Sequence, residues 1–262
     1  LAFGSPAIFK KAIFIRISNI AEELLDNRRG DPEILSNPSL ALNLISKKTK
    51  NYNFEKKWIE KIKKLHQVKI DTLKNKVSIP ITKDKKIHPA FIFDSLKKII
   101  NEDFIGIADG GDILSFARIG LQSKYYLDSG VFGCLGVGVP YAIAASLVYK
   151  NKKVICVTGD GAFGFNAIEI DTAVRNKSNI CIIISNNAAW NIETHDQKLN
   201  YGNRVYGTTL KHSNYAKMAS SLGAYGVRVE KPEELKEAIE KALKFTPSVV
   251  DVITSSLVMS SD

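Results

Sequence analysis

From residue 104 onward the chain alternates short apolar runs with segments whose apolar residues return every three or four positions. The runs Val154-Ile-Cys-Val-Thr158 and Ile180-Cys-Ile-Ile-Ile-Ser185 are short and rich in β-branched side chains, as strands buried on both faces should be. Read this way, the pattern predicts helices at 91–101, 112–121, 136–149, 166–176, 213–222 and 232–244. It predicts strands at 104–108, 153–158, 180–185, 225–229 and 248–253. Such alternation specifies an α/β fold, a doubly wound parallel sheet with helices on both faces. Pro232 and two acidic residues begin the last helix, where a first turn favours them. Upstream, residues 12–18 read as a strand, 26–32 as a polar turn, 40–48 and 52–75 as helices, and 76–89 as linker.

Candidate chemistry sits at the ends of two predicted strands. Gly159-Asp160-Gly161 follows the first run and Asn186-Asn187 the second. A parallel sheet binds ligands at the carboxyl ends of its strands, so Asp160 and Asn187 would offer a carboxylate and an amide oxygen to one site. With no Cys or His triplet nearby, that set suits Mg²⁺ holding a diphosphate. Gly161 and Ala162 leave room for a phosphate, and 163–175 reads as a helix pointing its N-terminus there.

The GDG start and double-Asn close resemble the cofactor motif of thiamine diphosphate enzymes. The resemblance implies that Asp160, the side chain of Asn187 and the carbonyl of Ala189 bind Mg²⁺, while Gly159, Gly161 and Ala162 hold the diphosphate. It continues through residues 127–145, where Leu135 maps to the apolar wedge that folds the cofactor into a V. Gly133 maps to the carbonyl that accepts from the aminopyrimidine amino group, a geometry that lets that group reach the acidic thiazolium carbon. Gly111 and Asp112 fall in a cofactor-contacting loop. An acid at Asp112 would repel a diphosphate, and capping the next helix is its other reading. Trp190 should lie over the thiazolium, and Glu193 stands where 2-oxo acid decarboxylases carry a carboxyl that relays a proton. The other reading of Glu193 is a carboxylate on an exposed loop, and His195 reads best as solvated. His66, His88 and His212 read as structural or surface residues.

By the same resemblance residues 1–50 end a Rossmann-like central domain, 51–87 form a helix and linker, and 88–262 form the diphosphate-binding domain. The function implied is decarboxylation and carboligation of 2-oxo acids, most like an acetolactate synthase large subunit. An oxalyl-CoA decarboxylase or 2-hydroxyacyl-CoA lyase acting on acyl-CoA, or a non-catalytic cofactor-binding subunit, are the alternatives. The family's pyrimidine-binding domain has no counterpart here, so its activating glutamate is expected from another chain or a missing segment, in a homo- or hetero-oligomer. An opening at Leu1 without Met reads as a fragment, a processed chain or an unusual start.

Composition changes this picture little. The 262 residues are 45% hydrophobic, which supports a sizeable core, and neither a membrane span nor a signal peptide is visible. The net charge of +10 gathers in the lysines between 47 and 86. Lysines 56, 57, 61, 63 and 64 accompany Trp58, Ile59, Ile62 and Leu65 at helical spacing, a solvated helix face rather than a nucleic-acid site. Cys134, Cys156 and Cys181 lack metal spacing and read as reduced thiols of a cytoplasmic protein.

Overall fold

A computed structural model describes residues 11–25, 29–53, 55–101 and 103–259. The first predicted turn, at 26–32, lies partly outside them. The described residues form two compact units divided between Gln67 and Val68.

In the first unit β1 (Arg16–Ser18) pairs in parallel with β2 (Glu33–Leu35), a strand that the sequence pattern does not reveal. The helix α1 (Ala21–Leu24) lies between them in sequence. Helix α2 (Pro38–Lys48) starts sharply because Asn37 caps it, its Oδ1 accepting from the Ser39 N–H at 2.9 Å, with Pro38 in the first turn. Helix α3 (Lys56–Val77) follows and contains the division between the units, with Trp58, Ile62 and Leu65 exposed beside its lysines.

The second unit is a six-stranded, wholly parallel sheet. Its strands are β3 (Ile105–Asp109), β4 (Tyr125–Leu127), β5 (Val154–Gly159), β6 (Ile180–Asn186), β7 (Tyr225–Val229) and β8 (Ser248–Ile253). They lie in the order β4-β3-β5-β6-β8-β7. Every pairing is parallel, so each connection must cross a face of the sheet. Ile155, Val157, Cys181 and Ile183 point into one core layer, with α4 (Phe91–Ile99), α5 (Asp112–Gly120) and α11 (Pro232–Ala242). Val154, Cys156, Ile180, Ile182 and Ile184 point into the other, with α6 (Gly138–Val148), α8 (Ile170–Arg175) and α10 (Tyr215–Ser221). Alternation within an all-apolar run thus fills two cores at once, and the doubly wound sheet is observed as expected.

Three local readings need correction. The continuous helix read across 163–175 is instead α7 (Asp160–Phe165), a single 3-10 turn at Ala167–Glu169, and α8, the last two lying within the 166–176 range. Asn166 breaks it with φ −131° and ψ 30°, a position where Asn can trade helix geometry for a side-chain bond to distant backbone. The stretch read as linker is not loose: Ile87 is fully buried and bridges both Ile81 and Thr254. Finally, residues 191–200, read as polar loop, form helix α9 (Asn191–Asn200), which has too few apolar positions to show a period.

Candidate functional site

β3 sends the chain to one side, to β4, and β5 resumes on the other, so the loops after β3 and β5 part at a topological switch point. A cavity of about 370 Å³ opens there. Gly111 and Asp112 line it from the β3–α5 loop, and Gly133 and Leu135 from the turn before α6. Gly159, Asp160, Gly161 and Ala162 line it from the end of β5, and Asn187, Ala189, Trp190 and Glu193 from the segment after β6. The fold therefore gathers every site residue nominated from the sequence around one space. Asn191 and Arg118 share the lining and were missed, having no local signal to mark them.

Asp160 is the most constrained of these side chains. It is 2% exposed. Its Oδ1 accepts from the Gly161 N–H at 3.0 Å and its Oδ2 from the Ala188 N–H at 2.8 Å. The second bond ties the loop after β5 directly to the loop after β6. Ala188 sits at φ +57°, a left-handed turn that costs a non-glycine residue about 1–2 kcal/mol. That turn lets Asn187 Oδ1 accept from the Ala189 N–H at 3.1 Å, while Leu210 N–H holds the Ala188 carbonyl at 2.8 Å. Each of these side-chain oxygens keeps a lone pair beyond the backbone bond it makes.

Burial pushes the Asp160 carboxyl up to about 7, with Asp251 adding like-charge repulsion. A buried carboxylate without a cation is an unfavourable arrangement, and a small hard cation beside it would restore the charged form. Among the described residues no three His, Cys, Asp or Glu side chains cluster as a metal site. The donors present, one carboxylate, one amide and backbone carbonyls, are those of a site that leaves the remaining positions to water and phosphate, and so they fit.

For the metal-free chain the sign is definite: the native state holds the Asp160 proton more tightly than the unfolded state, with its ordinary 3.8. The contribution of Asp160 to stability should be greatest below about pH 4, decline as pH rises towards 7 and flatten above it, by at most about 4 kcal/mol. Urea unfolding at pH 5 and pH 8 measures this, and Asp160→Asn should reduce the difference, leaving the part of the same sign that the buried Asp109 and Asp251 carboxyls contribute.

Two nominated residues behave differently from their reading. Gly161 is crowded by an aromatic ring: a Cβ there would lie 2.6 Å from the Trp190 ring. Trp190 also meets Phe165 edge-on at 5.9 Å, so the indole covers the start of α7. Gly161→Ala should therefore displace Trp190 and cost about 1–3 kcal/mol, as overpacking does. A changed tryptophan emission with a lowered urea midpoint is the expected result; unaltered emission would show that the ring is not held there. Asp112 is not a cap: Gly111 occupies that position and Asp112 is the first helical residue. Its Oδ2 accepts from Asn191 Nδ2 at 2.9 Å, joining α5 to α9.

Glu193 is exposed in the first turn of α9, at the cavity mouth. His195 turns away, its Nε2 meeting the Ser256 carbonyl at 3.1 Å. At the rim Arg118 pairs with Asp128 at 3.0 Å.

Behind the site lies a polar network that the sequence did not signal. Asn186 Nδ2 donates to Asp251 Oδ1 at 2.9 Å and to the Ser213 carbonyl at 3.0 Å. Its Oδ1 must then accept from His212 Nδ1 at 3.1 Å, leaving Nε2 to accept from Lys86 Nζ at 3.1 Å. His212 is thus a neutral Nδ1–H tautomer, and burial, Lys86 and Arg228 all hold its pKa below the usual value. The histidine read as structural is structural, in a linked cluster.

Residues 112–252 match the family model for the thiamine pyrophosphate enzyme C-terminal TPP-binding domain. The chain belongs to the thiamine pyrophosphate enzymes. Thiamine pyrophosphate is thiamine diphosphate, so the resemblance carried by the GDG and Asn-Asn segments is confirmed at the level of family. The chain is 37% identical over 172 residues to an acetolactate synthase large subunit of Mycobacterium tuberculosis, covering 64% of this chain and 31% of that protein. It is 31% identical over 190 residues to 2-hydroxyacyl-CoA lyase 2 of Mus musculus, covering 71% and 29%. Similarity to 2-hydroxyacyl-CoA lyase 1 of Homo sapiens, at 27% over 278 residues, covers 97% of this chain and 47% of that protein. The chain thus spans about a third of the length of the first two relatives. No described helix is long and apolar enough to cross a membrane.

Proposed function

We propose that this chain is the diphosphate-binding part of a cytoplasmic thiamine diphosphate and Mg²⁺ dependent enzyme that decarboxylates and carboligates 2-oxo acids, in the manner of an acetolactate synthase large subunit. The observation that carries the proposal is the 2.8 Å bond from the Ala188 N–H to Asp160, which joins the two halves of the metal motif across neighbouring strand ends. In this reading Asp160, Asn187 and the Ala189 carbonyl hold Mg²⁺, and the backbone from Gly159 to Ala162 and the Gly111 loop hold the diphosphate. Asp112, whose Oδ2 accepts from Asn191, holds α9 to the Gly111 loop and is given no part in holding the phosphates. Leu135 supports the rings, the Gly133 carbonyl accepts from the amino group, and Trp190 shields the metal loop from water. When bound, the cofactor supplies the electron sink for loss of CO₂. Glu193, at the mouth, can hand a proton to the carbon that has lost CO₂.

The domain division at 50 and 87 and the need for a pyrimidine-binding domain from another chain or segment belong to the same proposal. General acid–base help of the missing kind is worth about a hundredfold to ten-thousandfold in rate. The test has two arms. The purified chain should bind thiamine diphosphate only with Mg²⁺ in a calorimetric titration, and should release almost no CO₂ from pyruvate until a chain supplying that domain is added. Mg²⁺-independent binding would overturn the site, and robust turnover, with mass spectrometry excluding a second polypeptide, would overturn the split. Similarity across 97% of the chain to a 2-hydroxyacyl-CoA lyase favours a second reading, cleavage of a 2-hydroxyacyl-CoA. Aldehyde release from such a thioester by the completed enzyme, without turnover of pyruvate, would select it.

A further inference from the structure

Leu135 lies in an irregular turn between the 3-10 turn at Gly130–Phe132 and α6. Val131 and Phe132 are almost wholly exposed, so little around that side of the turn restrains it. Its other side is gripped. The Gly136 N–H donates to Asp109 Oδ2 at 3.0 Å, and the Gly136 carbonyl accepts from Asn166 Nδ2 at 2.8 Å. The same Asp109 oxygen accepts from the Gly138 N–H at 2.8 Å, so one atom spans the turn and the start of α6. Both backbone groups of the residue next to Leu135 are therefore held by side chains from elsewhere in the fold. Gly136 is at φ +89°, and a Cβ there would lie 2.7 Å from Phe165 Cβ, so the turn is also pressed against the end of α7.

Two features mark this clamp as more than ordinary packing. Asp109 is 1% exposed and its Oδ1 has no hydrogen-bond partner, an unfavourable way to keep a carboxylate, and burial raises its pKa accordingly. Asn166 is the residue that breaks the helix read across 163–175, and its amide turns to the Gly136 carbonyl. A helix-breaking side chain and a half-satisfied buried acid thus meet at one glycine.

We propose that Asp109 and Asn166 are positioning residues that set the height and direction of Leu135 beneath the cofactor rings. Neither lines the cavity, so both act through the turn. The inference rests on the reading of the cavity as the thiamine diphosphate site. The diphosphate and metal groups stand on other loops, which separates the two contributions: the clamp governs what the rings add to binding, and Asp160 and Asn187 govern what the phosphates add.

The test compares affinities of the full chain for thiamine diphosphate and for inorganic pyrophosphate, both with Mg²⁺, by calorimetry. Asn166→Ala, at a half-buried position, is the gentler variant, and Asp109→Ala the stronger. Each should reduce the excess affinity for thiamine diphosphate over pyrophosphate about tenfold, as truncation of a half-buried Leu at position 135 should. Pyrophosphate affinity should change less than about threefold. Asp109→Asn keeps an acceptor for Gly136 and Gly138 and should restore most of the loss. Combining Asn166→Ala with Leu135→Ala should lose no more than Leu135→Ala alone, since residues that act through one another are not additive. Hydrogen exchange at residues 133–138 should accelerate in Asn166→Ala and Asp109→Ala and stay unchanged in Leu135→Ala. Unchanged exchange, or equal loss for both ligands, overturns the positioning role. A wild-type chain that binds pyrophosphate but gains nothing from the thiamine moiety overturns the reading of the cavity itself, and this inference with it.

Discussion

Asp160→Ala should abolish Mg²⁺-dependent binding of thiamine diphosphate, weakening it by at least about a hundredfold, while the parallel sheet remains folded. The magnitude follows because mutation of groups that merely orient metal ligands already costs 10–100-fold, and Asp160 supplies the only formal charge among the proposed protein donors. The fold should survive because Ala fits at the first position of α7, and the buried acid it replaces is itself unfavourable when no cation is present. Freed of Oδ2, the Ala188 N–H would lose its bond, and the left-handed turn at Ala188 would lose one support. Calorimetric titration with cofactor and Mg²⁺ reads the first effect and circular dichroism the second. Retained affinity in a folded variant would remove Asp160 from the site.

The largest expected loss of stability falls away from the cavity wall, at Asp251. Its side chain is fully buried in the middle of β8. Oδ1 accepts from Asn186, and Oδ2 accepts from the Tyr215 N–H at 3.1 Å and meets Arg228 at 3.3 Å. In Asp251→Ala the Tyr215 N–H at the start of α10 loses its acceptor. Arg228 loses the partner that draws it inward, though Glu230 remains at 3.1 Å. Removing one partner of a buried pair costs about 3–5 kcal/mol, and the remaining partners of Arg228 and Asn186 place this variant near 3. Asn186 immediately precedes Asn187, so the same change should loosen the amide proposed to hold the metal. Urea unfolding should show the stability loss and cofactor titration a weaker secondary loss. A change below about 1 kcal/mol would show that the network is not cooperative.

Much of this was readable before any coordinates. Strands β5 and β6 are built on uninterrupted apolar runs and β8 on one broken only by Asp251, and a strand's burial on two faces leaves that mark in sequence whatever it pairs with. Because parallel sheets present ligands at strand ends, finding Asp160 and Asn187 just beyond two such runs pointed to the strand ends where the cavity opens. The short edge strand β4 and the polar helix α9 carry no comparable mark. One has three residues, and the other has so few apolar positions that its helicity depends on the surfaces against which Trp190 and Ile192 pack. What only tertiary structure decided are the contacts between residues far apart in the chain. Asp109 reaches Gly136, Asn166 reaches back to the same glycine, Trp190 occupies the space beside Gly161, and Lys86 reaches His212. Local periodicity reports which face of an element avoids water, so it yields the fold class and the strand ends. The pairing of one polar atom with another across the fold depends on side-chain directions and backbone turns that no stretch of neighbouring residues encodes.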